Sequence, residues 1–135
     1  MKNFALHENF NDKCFICNLQ LSIVLLEPVN EFPWIIIIPR VESAKNILDL
    51  TDNQKLTFWK EVDEVSTAIT TIYNPYQINI AMLGNKTPQL HCHVIARFQG
   101  DISFPNSPFD VKTTKAESSN LIKIINSIKN ILTHI

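Results

Sequence analysis

The chain has 135 residues, of which 45% are hydrophobic and 19% charged, with a net charge of −1. That length holds one core, so a single domain over residues 1–135 is expected, and the composition excludes a disordered chain. A pI near 6.4 excludes the broad basic face of a nucleic-acid binder, so any phosphate ligand has to be held locally. Met1 to Phe10 is interrupted by polar residues and lacks the apolar centre of a secretory signal, which makes the cytoplasm the expected compartment. Cys14 and Cys17 follow in a C-x-x-C and, with Cys92, are too few for a disulfide framework; reduced thiols are expected. Leu21 to Glu27 and Trp34 to Ile38 are short apolar runs rich in β-branched residues and read as strands. The second, bounded by Pro33 and Pro39, is far shorter than the about 20 residues that span a bilayer. It is expected to be central and covered on both faces.

Thr51 opens a capping-box pattern with Gln54. Phe58, Val62, Val65, Ile69 and Ile72 then recur at helical spacing until Asn74-Pro75, which predicts one long amphipathic helix. Gln77 to Leu83 and Gln89 to Phe98 are two further strands, joined as a hairpin through the turn Gly84-Asn85-Lys86-Thr87-Pro88. After a proline-broken polar stretch from Gly100 to Thr114, Leu121, Ile124, Ile125, Ile128, Ile131 and Ile135 predict a closing helix after Ser118 and Ser119. Strands on either side of one long helix, without regular alternation, define an α+β class with a mostly antiparallel sheet.

The strand from Gln89 carries the chemistry. A period of two places Gln89, His91, His93 and Arg97 on one face and Leu90, Cys92, Val94 and Ala96 on the other. Alternate histidines on a strand are surface residues, two ligands of a metal, or catalytic groups. The preceding turn favours an anion: Gly84 and Asn85 bring backbone and amide close, while Lys86 and Arg97 supply positive charge.

With those residues in view, Gln89-Leu90-His91-Cys92-His93-Val94-Ile95 resembles the histidine-triad motif, His-φ-His-φ-His-φ-φ, with glutamine at its first position. Phe32-Pro33-Trp34-Ile35-Ile36-Ile37-Ile38-Pro39-Arg40, Leu83-Gly84-Asn85, Pro88-Gln89 and Ala96-Arg97 extend the likeness to a bacterial branch of the HIT superfamily of nucleotide hydrolases and transferases. The resemblance implies a five-stranded antiparallel sheet with a long helix and a second, C-terminal helix. It also implies a homodimer, a purine nucleotide ligand and no cofactor. At the second triad position, His91 would attack the α-phosphorus and form a nucleotidyl-histidine, while its other nitrogen keeps a proton bonded to a backbone carbonyl, that of Gln89. His93, at the third position, would bind and neutralise phosphate oxygens. Gly84, Asn85 and Lys86 would meet the phosphates, and Asn79 lies near a family asparagine that faces the site.

Other positions stay open at the level of sequence. No residue in Glu27–Glu31 matches the family's ribose-binding acid cleanly, and Asn30 or Glu27 is the substitute. Trp34 and Phe32 are core residues or the walls of a base pocket; Phe104 and Phe109 close over the ligand or a dimer partner, or pack their own loop. Some relatives bind structural zinc with a C-x-x-C and two histidines, but Glu42 and Gln89 stand where those histidines would be, so buried thiols are the expectation. Cys92 is expected in the core, and His7 and His134 in solvent. The readings that result are a nucleotide hydrolase acting on adenine nucleotides, adenosine phosphoramidate or dinucleoside polyphosphates; a nucleotide-binding module without turnover; and a small metal protein.

Overall fold

A computed structural model describes residues 4–133, so His134 and Ile135 lie outside the described residues. Five strands form one antiparallel sheet in the order β1-β2-β3-β5-β4. They are β1 (Cys14–Asn18), β2 (Ser22–Leu26), β3 (Trp34–Pro39), β4 (Gln77–Ala81) and β5 (Cys92–Arg97), with α1 (Asp52–Tyr73) between β3 and β4 and α2 (Ser118–Leu132) at the end. This is the α+β architecture expected from the sequence.

The isoleucine run of β3 sits at the centre of the sheet and every residue of it is buried. Its even and odd positions serve different layers. Ile35 and Ile37 join Val24, Leu26, Cys92, Val94 and Ala96 in a large core under the helices, whereas Trp34, Ile36 and Ile38 join Leu25, Ile95, Phe10 and Phe32 in a smaller cluster on the opposite face. Helices therefore cover one face of the sheet only, and the other is left for the site.

The long helix begins and ends where its sequence demands. The Thr51 hydroxyl accepts from Gln54 N at 3.2 Å and Gln54 Oε1 accepts from Thr51 N at 2.8 Å, completing the capping box. Asn74 closes the helix in the left-handed region with φ 47°, a conformation asparagine tolerates better than most residues. Phe58, Val62, Val65 and Ile69 face the core as predicted, joined by Glu61. That buried carboxylate accepts the Leu21 backbone N–H at 2.8 Å and ties the β1–β2 turn to the helix. In α2, Leu121, Ile128 and Leu132 are buried, with Ile124, Ile125 and Ile131 packed partly against the same core.

Two elements differ from the sequence reading. The C-x-x-C segment is an edge strand, and a bulge between Phe15 and Cys17 breaks its period of two. The bulge lets both Cys14 and Cys17 pack on the helical side. The hairpin strands are also shorter than Gln77–Leu83 and Gln89–Phe98, because Leu90 N bonds the Ala44 carbonyl at 2.9 Å instead of continuing the ladder. The segment from Met82 to His91 is thus a loop over the end of the sheet. No described helix is long and apolar enough to cross a membrane.

Candidate active site

A cleft of about 510 Å³ opens beyond that loop, between the small apolar cluster and the Gly84 turn. Gly84, Asn85, Lys86 and Thr87 form one wall, His91 and His93 the floor, and Asn9, Phe10, Trp34 and Phe109 the remaining walls. Gly84 has φ +65°, the left-handed backbone that favours glycine. The turn can therefore fold back over the histidines.

Each imidazole is fixed by one hydrogen bond to Nδ1, and the two bonds have opposite sense. His91 Nδ1 lies 2.6 Å from the Gln89 carbonyl oxygen. A carbonyl only accepts, so Nδ1 carries the proton and Nε2 holds a lone pair. His93 Nδ1 instead receives the Trp34 indole N–H at 3.0 Å. Indole only donates, so in neutral His93 the proton is on Nε2. The rings stand edge to face with centroids 4.9 Å apart. A nucleophilic nitrogen and a hydrogen-bond donor are thus placed side by side.

Burial keeps both rings neutral. It lowers the His91 pKa below the ordinary histidine value, against a smaller upward pull from the Gln89 carbonyl. His93 is pushed down to about 4 by burial first, then by the neighbouring His91 and the positive Lys13. Phe10 and Phe109 contribute to this enclosure, Phe10 edge-on to His91 at 5.0 Å and Phe109 edge-on to His93 at 5.1 Å. On the reverse of the same strand Cys92 is fully buried, as expected, and its thiol is pushed up to about 12 by that burial.

The structure brings together His91, His93, Gly84, Asn85 and Lys86, and leaves out two of the residues expected with them. Arg97 shares their face of β5 but is 1% exposed. Its Nε and Nη2 donate to Asp101, its Nη1 to Asn79 and its Nη2 also to Ser103, and Phe32 and Phe104 flank its guanidinium. Four of its five N–H groups are thereby engaged, so Arg97 is a buried staple rather than a phosphate ligand. Burial alone would raise the Asp101 carboxyl; Arg97 and the backbone N–H groups of Phe98, Phe104 and Ser103 instead hold it well below the usual carboxylate range. Asn79 is consumed in the same network. Among the flanking aromatics, Phe32 and Phe104 belong to this staple, whereas Phe109 reaches the cleft.

Glu27 lines the cleft, but Asn30 does not. The Asn30 amide donates to Thr114 Oγ1 and the Lys115 carbonyl. Glu27 pairs with Lys13 at 2.6 Å. Burial alone would lower the Lys13 ammonium, but its pairs with Glu27 and Asp12 more than offset that and leave it raised. This ion pair also borders a second groove of about 310 Å³ lined by Pro28, Val29 and Thr113–Lys115.

Sequence reasoning missed the role of Trp34, which it divided between core and base pocket. The residue is 7% exposed and packed in the small cluster, yet it also sets the His93 tautomer. The antiparallel register supplies the signal: Ile36 opposes His93, so Trp34 is the diagonal neighbour of that histidine. His7, expected in solvent, is half-buried and caps the 3-10 turn Glu8–Phe10 by accepting the Asn9 N–H at Nδ1. Among the described residues, no group of three or more His, Cys, Asp or Glu side chains is placed to hold a metal.

Comparison with known proteins places the fold. The structure superposes on a histidine triad protein of Bradyrhizobium japonicum with a TM-score of 0.92 and 31% identity, covering 96% of this chain and 98% of that one. A histidine triad protein of Marinobacter aquaeolei VT8 gives 0.93 and 28%, with 97% of each chain covered. One from Sinorhizobium meliloti 1021 gives 0.91 and 28%, covering 94% of this chain and 96% of that one. No curated protein sequence matches the chain. The family model of the HIT domain matches residues 9–100, which span the β-sheet, the long helix and both histidines, and the chain belongs to that family.

Proposed function

We propose that the protein is a nucleotide hydrolase or transferase that cleaves a phosphoanhydride or phosphoramidate bond at the α-phosphorus of a purine nucleotide. The observation that carries this reading is the opposite fixation of the two imidazoles, His91 by a carbonyl and His93 by an indole N–H.

The His91 Nε2 lone pair attacks the α-phosphorus, forming a P–N bond as the bond to the leaving group breaks. The leaving group takes that electron pair. A phosphate group departs as an anion, while an amine takes a proton from solvent as it departs, because neutral His93 has only its Nε2–H and would become an imidazolate by giving it up. Negative charge on the non-bridging oxygens meets His93 Nε2–H, Lys86 and the polar turn at Gly84 and Asn85. Water then attacks phosphorus and releases a proton to solvent, the P–N bond breaks, and its electrons return to His91 Nε2, which restores the neutral ring. Gln89 serves this cycle through its backbone carbonyl, which holds the His91 Nδ1 proton throughout.

Glu27 is the residue we assign to the ribose hydroxyls, since it lines both the cleft and the second groove of about 310 Å³. Adenine nucleotides, including adenosine phosphoramidate and dinucleoside polyphosphates, are the substrates that the family resemblance favours.

The test is mass spectrometry of protein quenched during incubation with adenosine phosphoramidate and, separately, with diadenosine tetraphosphate. An adenylyl adduct on His91, released AMP, and loss of nearly all turnover in a folded His91→Ala variant are the expected results. Unmodified protein that releases nothing yet binds AMP would replace this reading with that of a nucleotide-binding module.

A further inference from the structure

Gln89 stands where the triad motif has its first histidine, and its side chain does something an imidazole cannot. Its Oε1 accepts the His7 backbone N–H at 2.8 Å and its Nε2 donates to the Ala5 carbonyl at 2.9 Å. A residue in a parallel ladder does the same, giving its N–H to one carbonyl and taking the N–H two residues further along. The Gln89 amide therefore pairs with the segment around Leu6 as one more strand residue would. Donor and acceptor of a carboxamide lie on one edge and point the same way, whereas the two nitrogens of an imidazole point apart.

The paired segment leads straight into the cleft. After His7 the 3-10 turn Glu8–Phe10 sets Phe10 edge-on to His91. It also sets Asn9 beside Thr87, with the Asn9 amide donating to Thr87 Oγ1 at 2.9 Å. Residues 5–10 are thus tied at two points to the 84–89 loop, and two of them, Asn9 and Phe10, form a wall of the cleft. The Gln89 side chain itself does not line the cleft.

From this geometry we infer that the Gln89 side chain is a positioning residue, a clamp that holds residues 5–10 against the 84–89 loop and so sets the affinity of the cleft for nucleotide through Asn9 and Phe10. The affinity part rests on the nucleotide reading given above; the clamp does not.

The test pairs Gln89→Leu, which keeps the bulk and removes both polar atoms, with His7→Pro, which removes the N–H that Gln89 accepts. His7 has φ −61°, so proline fits its backbone at that angle. His7→Ala is the control that removes the ring and keeps the N–H. In hydrogen exchange, Gln89→Leu should speed exchange in residues 5–10 about tenfold and leave β3 unchanged, the scale set by losing about one net hydrogen bond. With adenosine phosphoramidate, KM should rise about tenfold while kcat falls by less than about threefold, far milder than His91→Ala. His7→Pro should match it, His7→Ala should have the smaller effect, and Gln89→Leu with His7→Pro should do no more than either alone.

Unchanged exchange in Gln89→Leu would overturn the clamp, as would additive effects in the double variant or a His7→Ala effect equal to that of His7→Pro. Faster exchange with unchanged KM would overturn its role in affinity. If the wild-type protein neither turns over nor binds nucleotide, the proposed function fails together with the affinity role, and the exchange measurements still decide the clamp.

Discussion

Two chemically identical side chains, two residues apart in the chain, are given opposite tasks by what touches their Nδ1 atoms. The His91 partner is a carbonyl and the His93 partner an indole N–H, so tautomers rather than charges distinguish them. Replacing Trp34 by phenylalanine keeps most of the packing and deletes the donor. We expect kcat/KM to fall about tenfold in Trp34→Phe, on the scale of one lost hydrogen bond, with His93 seen as a tautomer mixture by nitrogen NMR. An unchanged rate would remove Trp34 from the machinery. The pH profile follows from the sign of the His91 shift. Burial lowers its pKa, so the neutral, attacking form persists below the ordinary histidine midpoint of about 6.5. The acid limb of kcat/KM should therefore be centred below that value, and a limb centred above it would show that the cleft does not protect the neutral ring. His93 carries a stability consequence of the same sign. With a folded value of about 4, it binds fewer protons folded than unfolded as pH falls from the ordinary midpoint toward that value, and stability declines across that window.

At the scale of elements, what the sequence displayed well was whatever depends on local pattern. The capping box at Thr51 and Gln54, the left-handed stop at Asn74, the buried isoleucine strand and the alternation through His91 and His93 all follow from neighbours in the chain. What it hid depends on partners far away in sequence. The bulge at Phe15–Cys17 disguised β1, and Leu90 leaves the hairpin for Ala44, which no local signal announces. Arg97 looked like a phosphate ligand because it shares a face with the histidines, yet Asp101, which captures it, is itself unremarkable in sequence. The loop between β4 and β5 turns on a single glycine. In Gly84→Ala a Cβ meets the Lys45 carbonyl oxygen at 3.6 Å and the Thr87 carbonyl oxygen at 3.9 Å, both ordinary contacts, so the cost is conformational. Holding alanine in the left-handed region costs about 1–2 kcal/mol, and urea unfolding of Gly84→Ala should show a loss of that size together with weaker AMP binding. Full stability with full AMP affinity would mean that the loop relaxes without harm.

For the whole molecule, one face of the sheet is sealed by helices while β4 ends the sheet as an open edge. Large apolar side chains stand exposed at Ile80 on that strand, at Leu83 just after it, and at Leu56 and Trp59 on α1. An open edge with apolar side chains is a surface that folded proteins normally cover. This supports the homodimer that the family resemblance implies. Light scattering should give twice the chain mass for the wild type and the chain mass for Ile80→Lys, with helical content unchanged; a monomeric wild type would refute the dimer.

The alternation along β5 also bears on how such a protein can change over time. Cys92, Val94 and Ala96 answer to the core, whereas His93 and, just before the strand, His91 answer to the cleft. Because adjacent positions report to different faces, reactivity and cohesion can drift separately. A lineage can lose or retune its chemistry at one set of positions while the scaffold persists through the other.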